Sequence, residues 1–174
     1  QPQADPVPAD PGAFVELKGP LTATPDRVEL PEFELTVHAQ GRPQLLKGKL
    51  ALDLGASPKA AAELSGRFVD LDALFGVANA EKRLPPAAVL YMFADTVLYE
   101  SAKYGEISLN ASLEQAGLGG DLLGNFELAL ATNNGAVKIE RLKATLPGEN
   151  RVEVQGKLSH GEFGPVFAGP IKLE

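Results

Sequence analysis

The stretch VKIERLKATLPGENRVEVQGKL, residues 137–158, carries the pattern that decides the fold. Apolar and polar residues alternate, the alternation slips once, a Leu-Pro-Gly turn follows, and the alternation resumes up to Gly-Lys-Leu. Period-two alternation is typical of a β-strand with one apolar face and one wetter face. Two such strands joined by a short turn predict an antiparallel hairpin.

The same alternation recurs along most of the chain. The apolar phase of the predicted strands falls in residues 15–23, 33–37, 48–54, 107–113, 124–130, 152–158 and 167–173. Turn residues separate these runs at 24–26, 40–43, 133–135 and 147–150. Asn134-Gly135, between two alternating runs, is the strongest hairpin signal. Short turns between successive strands predict an antiparallel meander of about eight to ten strands.

One segment in the middle of the chain departs from period two. Residues 84–104, LPPAAVLYMFADTVLYESAKY, begin with Pro85 and Pro86, which suit the first turn of a helix. Their apolar residues cover more than one stripe, which predicts a helix of about three to four turns on the sheet or closing one end. The alternative is a strand, because residues 96–99 are β-branched and aromatic. Just before, residues 70–76 predict a strand end and a short helical turn with Asp72 as its N-cap.

Two stretches of the chain repeat one β unit. Residues 21–50 and 130–158 share their apolar spacing and both end in Gly-Lys-Leu. The matched positions are Val28, Leu30, Phe33, Leu35 and Val37 in the first copy, and Val137, Ile139, Leu142, Ala144 and Leu146 in the second. The spacing of the copies exceeds a usual solenoid period, so each copy is interpreted as half of a module.

The slip in the alternation is common to both copies. Two residues, instead of one, separate Leu30 from Phe33 and Ile139 from Leu142. A single extra residue would turn every later side chain to the other face unless a β-bulge compensates and bends the strand. Glycines at the apolar phase also mark bends or close approaches, at Gly19, Gly48, Gly124, Gly156 and Gly169.

These features together predict a mainly β fold. The sheet is expected to be curved and antiparallel, U-shaped, half-barrel or sandwich-like, with one helix in the middle of the chain. Leu50, Leu52, Leu128 and Leu130 are predicted to face its apolar side. That side is either the core of a closed sandwich or an open groove for acyl chains, which needs a dry surface and few polar residues.

Composition narrows the function classes. The 174 residues are 44% hydrophobic and 22% charged, ordinary for a globular domain, and the net charge of −7 argues against binding to nucleic acid. Cysteine is absent, which removes disulfides, thiolate metal sites and cysteine nucleophiles. No apolar run approaches the roughly 20 residues of a membrane span. The proline-rich residues 1–12 are interpreted as a linker from a larger protein.

The polar residues predict no catalytic, cofactor-binding or metal site. His38 and His160 are isolated, whereas zinc needs three or four ligands. Asp70 and Asp72 lack the glycine and glutamate of a calcium loop. The serines lie in no Gly-x-Ser-x-Gly elbow, and the glycines at 117–120 lack the Lys-Ser/Thr of a phosphate loop, so they are interpreted as a loop. Tyr91, Tyr99 and Tyr104 are interpreted as packing residues with wet hydroxyls.

The order of these motifs resembles the AsmA-like proteins of Gram-negative bacteria. The resemblance lies in Asn-Asn-Gly, in Leu-Pro-Gly-x-x-Arg-Val-x-Val-x-Gly-x-Leu, in Phe-x-Gly-Pro-Ile-x-Leu, in Leu-Lys-Gly-Lys-Leu-Ala-Leu-Asp-Leu-Gly-Ala-Ser-Pro, and in Phe-Val-Asp-Leu-Asp-Ala-Leu-Phe-Gly. It covers roughly residues 13–76 and 105–174, and the helical segment departs from it.

The resemblance implies a setting that the residues alone do not. AsmA-like proteins are inner-membrane-anchored, project into the periplasm, and act in lipid transport and outer-membrane biogenesis through an elongated apolar β groove. It implies a non-catalytic, periplasmic module, tethered through a segment absent from this chain. The expected partners are phospholipid acyl chains, neighbouring modules of the parent chain or envelope proteins, and not nucleic acid. The alternative is a structural or protein-interaction module with a filled core and no lipid; an enzyme is a third reading.

The expected organisation is a linker over 1–12 and one β module over 13–174. Within the module, the first β unit is predicted at 13–76, the helical insert at 84–104 and the second β unit at 105–174.

Overall fold

The computed structural model describes residues 14–39, 42–74, 85–133, 135–162 and 164–174. Its strands form one open, curved sheet that carries two helices, which confirms the mainly β fold. The elements are β1 Phe14–Lys18, β2 Thr22–Thr24, β3 Arg27–Ala39, β4 Arg42–Asp53, β5 Lys59–Asp70, α1 Leu71–Leu74, α2 Pro86–Tyr104, β6 Glu106–Leu118, β7 Asp121–Asn133, β8 Ala136–Thr145, β9 Arg151–Gly161, β10 Gly164–Ala168 and β11 Ile171–Leu173. The predicted linker 1–12 and residues 75–84 lie outside the described residues.

The strands follow one another across the sheet almost in chain order. β1 and β2 both pair with β3, the path continues through β4 to β9, and β10 and β11 both pair with β9. Every pairing is antiparallel except that of β5 with β6, which is parallel. The prediction of an antiparallel meander is therefore wrong for the pairing of β5 with β6. Parallel neighbours require a crossover connection, and the segment that holds α1 and α2 provides it.

The strand β5 is the element that sequence interpretation missed. Its side chains alternate between exposed and half-buried along its length, as expected of a strand. Its half-buried phase holds Leu64 and Phe68, but the other three positions are Ala60, Ala62 and Gly66, which are small residues with weak strand propensity. This strand, and the division of both edge strands into two pieces, bring the described strands to eleven.

The predicted helix is confirmed and is longer than expected. It runs for 19 residues from Pro86, with Pro85 as its N-cap, and Gly105 follows it with a φ of 84°. The strand alternative for residues 96–99 is wrong. The short helical turn after β5 is also confirmed as α1, but its N-cap is Asp70, whose Oδ1 accepts the backbone N–H of Ala73 at 3.0 Å. Asp72 was predicted for that role, and the prediction is wrong.

Asp72 instead joins the crossover to a hairpin turn far along the chain. Its carboxylate is buried and accepts the backbone N–H groups of Gly119 and Gly120, each at 2.9 Å. Those glycines form the two-residue turn between β6 and β7, with φ values of 64° and 85°. Two charge-assisted hydrogen bonds therefore fix α1 against the second half of the sheet.

Replacing Asp72 by alanine leaves two backbone N–H groups of the β6–β7 turn without their acceptor. We expect the free energy of unfolding to fall by about 2–4 kcal/mol, since a hydrogen bond to a charged group contributes about 1.5–3 kcal/mol and two such bonds are lost at the half-buried Gly119 and the exposed Gly120. Urea unfolding of Asp72→Ala measures this. Glu114→Ala, an exposed carboxylate on β6, is the matched control and should change little. Equal stability of the two variants would contradict the role of Asp72.

Both predicted bulges are present and lie at one level of the sheet. The register shifts between Leu30 and Phe33 in β3 and between Ile139 and Leu142 in β8. A glycine of the neighbouring strand pairs beside each shift, Gly48 with Phe33 and Gly156 with Ile139. Gly-Pro interrupts each edge strand at the same level, after β1 and after β10. We call this level of the sheet the bulge line.

Gly156 lies where three strands approach closely. A Cβ at this position would collide with the carbonyl oxygen of Ala168 and with the ring of Phe167. We expect Gly156→Ala to lower the free energy of unfolding by about 1–3 kcal/mol, through overpacking. Gly55→Ala is the control, because a Cβ at Gly55 meets no atom within 4 Å. Thermal or urea unfolding measures both, and an unchanged Gly156→Ala would refute the close approach.

Candidate apolar groove

The strand register puts the predicted apolar residues on one face of the sheet. Residues that oppose one another on paired strands share a face. Leu50 and Leu130 belong to a single row across the strands, which contains Leu30, Leu50, Ala62, Leu109, Leu130 and Ile139. Leu52 and Leu128 lie two residues away in their own strands and therefore face the same side.

The two pairs of predicted residues have different surroundings. Leu128 and Leu130 are buried on β7, whereas Leu50 and Leu52 are half-buried on β4. Only Leu128 and Leu130 line the large apolar groove described below. Leu50 and Leu52 lie on the same face, in the half of the sheet formed by β3, β4 and β5.

The opposite face carries cross-strand ion pairs. They join β4 to both its neighbours and β8 to both its neighbours, as Lys47–Glu34 at 3.0 Å, Lys49–Glu63 at 3.6 Å, Arg141–Glu127 at 3.5 Å and Lys143–Glu153 at 3.3 Å. Their side chains are exposed or, in the Lys143–Glu153 pair, partly exposed, so each pair contributes little stability. These charged side chains make this face of the sheet polar and solvated, so the opposite face is the apolar one.

Two exposed cations of this polar surface have shifted pKa values. The pKa of Lys59 is raised first by its hydrogen bond to Glu106, 2.9 Å away, and then by the negative charge of that carboxylate. The pKa of Arg27 is raised by its hydrogen bond to Glu29 and by the charges of Asp53 and Glu29. The Lys59 pair links the two parallel strands β5 and β6, outside the apolar groove.

The apolar face of the second half of the sheet and the helix α2 enclose a groove of about 890 Å³. We call it the apolar groove. Its lining comes from α2 and from β6 to β11, and is mostly Leu, Val, Ile and Phe. The polar groups that reach it are the Tyr91 hydroxyl, Asp121 and Asn150. The lining includes Leu90, Phe93, Val97, Leu123, Phe126, Leu128, Leu130, Val137, Ile139, Leu142, Leu146, Val152, Val154, Leu158, Phe167, Ile171 and Leu173.

The helix α2 is fixed across the strands at one end of this groove. Val89 and Leu98 are almost fully buried beneath it. Near its N-terminal end, Tyr91 approaches Gly164 of β10 so closely that a Cβ there would overlap the tyrosine hydroxyl. At its C-terminal end, the buried Thr132 hydroxyl donates to the Gly105 carbonyl at 3.1 Å and accepts the N–H of Ile107 at 2.7 Å. The helix thus closes one end of the groove.

The sequence predicted only part of this lining. It identified Leu128 and Leu130, and the apolar phase of β8 and β9 was available in the repeat itself. The contribution of Phe93 and Val97 was not predicted, because the apolar residues of α2 cover more than one stripe and do not indicate which side meets the sheet. In the structure, the side of α2 that carries Phe93 and Val97 packs against the core and lines the groove.

The other polar candidates do not come together. His160 is exposed on β9, while His38 lies on β3 beside the opposite edge. In the described ranges, no three His, Asp or Glu side chains converge as a metal site would require. The glycines at 117–120 are the end of β6 and the turn held by Asp72. That the protein lacks catalytic, cofactor and metal sites stays a prediction.

Comparison with known proteins found no matching protein family, no similar curated protein and no similar solved structure. Among the helices that the structure describes, none is long and apolar enough to cross a membrane.

The groove depends on the packing of α2, which a truncation can test. Leu98→Ala removes a fully buried side chain, and we expect it to lower the free energy of unfolding by about 2–5 kcal/mol. Tyr99→Ala changes the next residue, which is 64% exposed, and should change the stability by about 0.5 kcal/mol or less. Urea unfolding distinguishes the two. Similar losses would mean that α2 packs with another face.

Proposed function

We propose that this chain is a non-catalytic module that binds acyl chains of phospholipid in the apolar groove and contributes this surface to lipid transfer or outer-membrane maintenance. The observation that carries the proposal is the groove itself, whose volume of about 890 Å³ lies within the range of ligand pockets. Its lining is apolar over most of its length. An acyl chain requires such a lining, whereas a polar substrate would require hydrogen-bonding groups.

The dimensions of the groove suit an extended hydrocarbon chain. Along β7, the lining runs from Leu123 to Leu130. At about 3.3 Å per residue this distance is roughly 23 Å, which exceeds the ~15 Å half-thickness of a bilayer's hydrocarbon core. An acyl chain can therefore lie along the strands without leaving the apolar lining.

The groove also has exposed apolar residues at its margin. Ile171 and Leu173 of β11 line it and are 64% and 67% exposed, and Leu90 of α2 is 46% exposed. Residues of this kind in a closed core would be covered, so the groove is open to solvent along part of its side. This openness gives a lipid a route in and out.

The resemblance to AsmA-like proteins supplies the setting that we propose. In that setting the module lies in the periplasm, tethered to the inner membrane through another segment, and its partners are phospholipid, neighbouring modules of the parent chain or envelope proteins. The alternative proposal is a structural or protein-interaction module that takes no lipid.

Filling the groove tests the lipid proposal. Val154→Trp adds apolar bulk to a half-buried position that lines the groove, without introducing a charge. We expect it to weaken phospholipid uptake by about tenfold or more, because bound chains no longer fit. Native mass spectrometry of delipidated protein with added phospholipid measures the uptake.

Val166→Trp is the matched control. Val166 is exposed on β10, opposite Ser159, on the face away from the groove. It should leave uptake unchanged. No uptake by the unmodified protein would favour the structural module, and equal uptake by both variants would place the lipid outside the groove.

A further inference from the structure

The two outer edges of the sheet have the same construction. At one edge, the five-residue β1 is followed by Gly19-Pro20 and the three-residue β2; at the other, the five-residue β10 is followed by Gly169-Pro170 and the three-residue β11. Both edges break at the bulge line. Within the described residues, neither edge has a further strand on its outer side.

The backbone of β11 leaves hydrogen-bonding groups directed outward. Glu174 and Arg151 exchange both of their backbone hydrogen bonds, at 2.7 and 2.9 Å. Because successive residues of a strand direct their N–H and C=O groups to opposite sides, those of Ile171 and Leu173 point away from β9. Both side chains lie on the apolar face and are exposed.

The backbone of the other edge follows from the pairing of β3 and β4. Leu54 donates to the Asp26 carbonyl at 2.8 Å, so every second residue of β4 from Leu54, including Gly48, directs its backbone groups toward β3. Their partners after the bulge are Phe33 and Leu35. The alternate residues of β3, Glu34 and Thr36, therefore direct their backbone groups toward β1.

The residues of β1 that oppose Glu34 and Thr36 direct their backbone groups inward, toward β3, and the residues that alternate with them direct theirs outward. Lys18 and Glu16 are the opposing residues and point inward, so Val15 and Leu17 point outward. Their side chains are 61% and 51% exposed. This edge therefore also combines outward backbone groups with exposed apolar side chains at the same residues.

The two edges run in directions that permit pairing. Three antiparallel pairings lie between β1 and β5, and four lie between β6 and β10, with one parallel pairing between them. The sum of seven reversals makes β1 and β10 run in opposite directions. A second copy placed beside the first in the same orientation therefore meets it antiparallel, with the apolar faces on the same side.

One register aligns the Gly-Pro breaks, the outward backbone groups, the apolar side chains and one pair of opposite charges of the two edges. It places Gly19 opposite Gly169, so that the two breaks coincide. The remaining partners in this register are Val15 with Leu173, Glu16 with Lys172, Leu17 with Ile171 and Leu21 with Phe167. Outward backbone groups then face outward ones, apolar side chains share the apolar face, and opposite charges meet on the polar face.

We propose that the β10–β11 edge of one copy of this chain pairs with the β1–β2 edge of a second copy in this register. The apolar face of each copy then continues into that of the next. Pro165 lacks an outward N–H, which ends the ladder at Leu21 and Phe167. Since each copy keeps one edge unused, the association is head-to-tail and extends beyond a dimer unless it closes into a ring.

The pair of Glu16 and Lys172 provides a charge-exchange test. Glu16 also lies 3.0 Å from Lys18, but that exposed pair is weak and leaves the carboxylate available. We expect Glu16→Lys and Lys172→Glu each to weaken self-association about tenfold, because an attractive cross-strand pair becomes repulsive. We expect an equimolar mixture of the two variants to restore self-association. At every contact between unlike variants, position 16 of one chain and position 172 of the other then carry opposite charges. Sedimentation velocity over a range of protein concentrations measures this.

A second variant removes an outward donor. Leu17→Pro deletes the N–H that points away from β3 and keeps the inward bonds of β1. We therefore expect this variant to be folded by circular dichroism and monomeric by sedimentation velocity. Glu114→Lys, on the polar face away from both edges, is the control and should associate like the unmodified chain. Failure of the mixture to restore association, or association that survives Leu17→Pro, would overturn the proposed interface. A chain that stays monomeric up to millimolar concentration would also overturn it. Neither readout involves lipid.

Discussion

The structure depends on one constraint, the period of two that assigns each side chain to a face of the sheet. Ion pairs occupy one face and aliphatic side chains the other, from β3 to β9. An uncompensated insertion of one residue would exchange the two faces in the rest of a strand. The extra residues in β3 and β8 are absorbed as bulges, and Leu30, Phe33 and Val137 remain buried on the apolar side. The curvature and the groove follow from strands that bend while keeping their faces.

The crossover between the two halves is the second determinant. It replaces a hairpin by a parallel pairing of β5 with β6, and it brings α2 over the apolar face. Among its described residues, the crossover is held by interactions that include the Asp72 carboxylate on the β6–β7 turn, the Thr132 hydroxyl below Gly105, and the buried side chains of Val89 and Leu98. Without α2, the apolar face would be a wide surface open to water at both ends.

Much of this fold could be predicted from the sequence, since strands, turns and bulges are local. The alternation located β3, β4 and β6 to β9, Asn134-Gly135 located a hairpin, and the shared slip located both bulges. The parallel pairing could not be predicted, because strand direction is set by a long connection and not by either strand. The role of Asp72 depends on a contact between residues 47 positions apart, which no local pattern contains. The side of α2 that lines the groove is likewise a tertiary property.

The different positions of the two glycines beside the bulges have a consequence for how such a chain can change length. Gly48 pairs on one side of its bulge and Gly156 on the other, so the two copies of the β unit differ in register although they share the Gly-Lys-Leu ending. The difference amounts to two residues, which preserves the faces. The connections between the last paired residues differ by an odd number, with two residues between Ala39 and Arg42 and five between Thr145 and Arg151, yet the faces are preserved in both copies. An odd insertion within a paired strand survives only where a bulge absorbs it, so during divergence parity limits the lengths of the strands and leaves the lengths of the turns open.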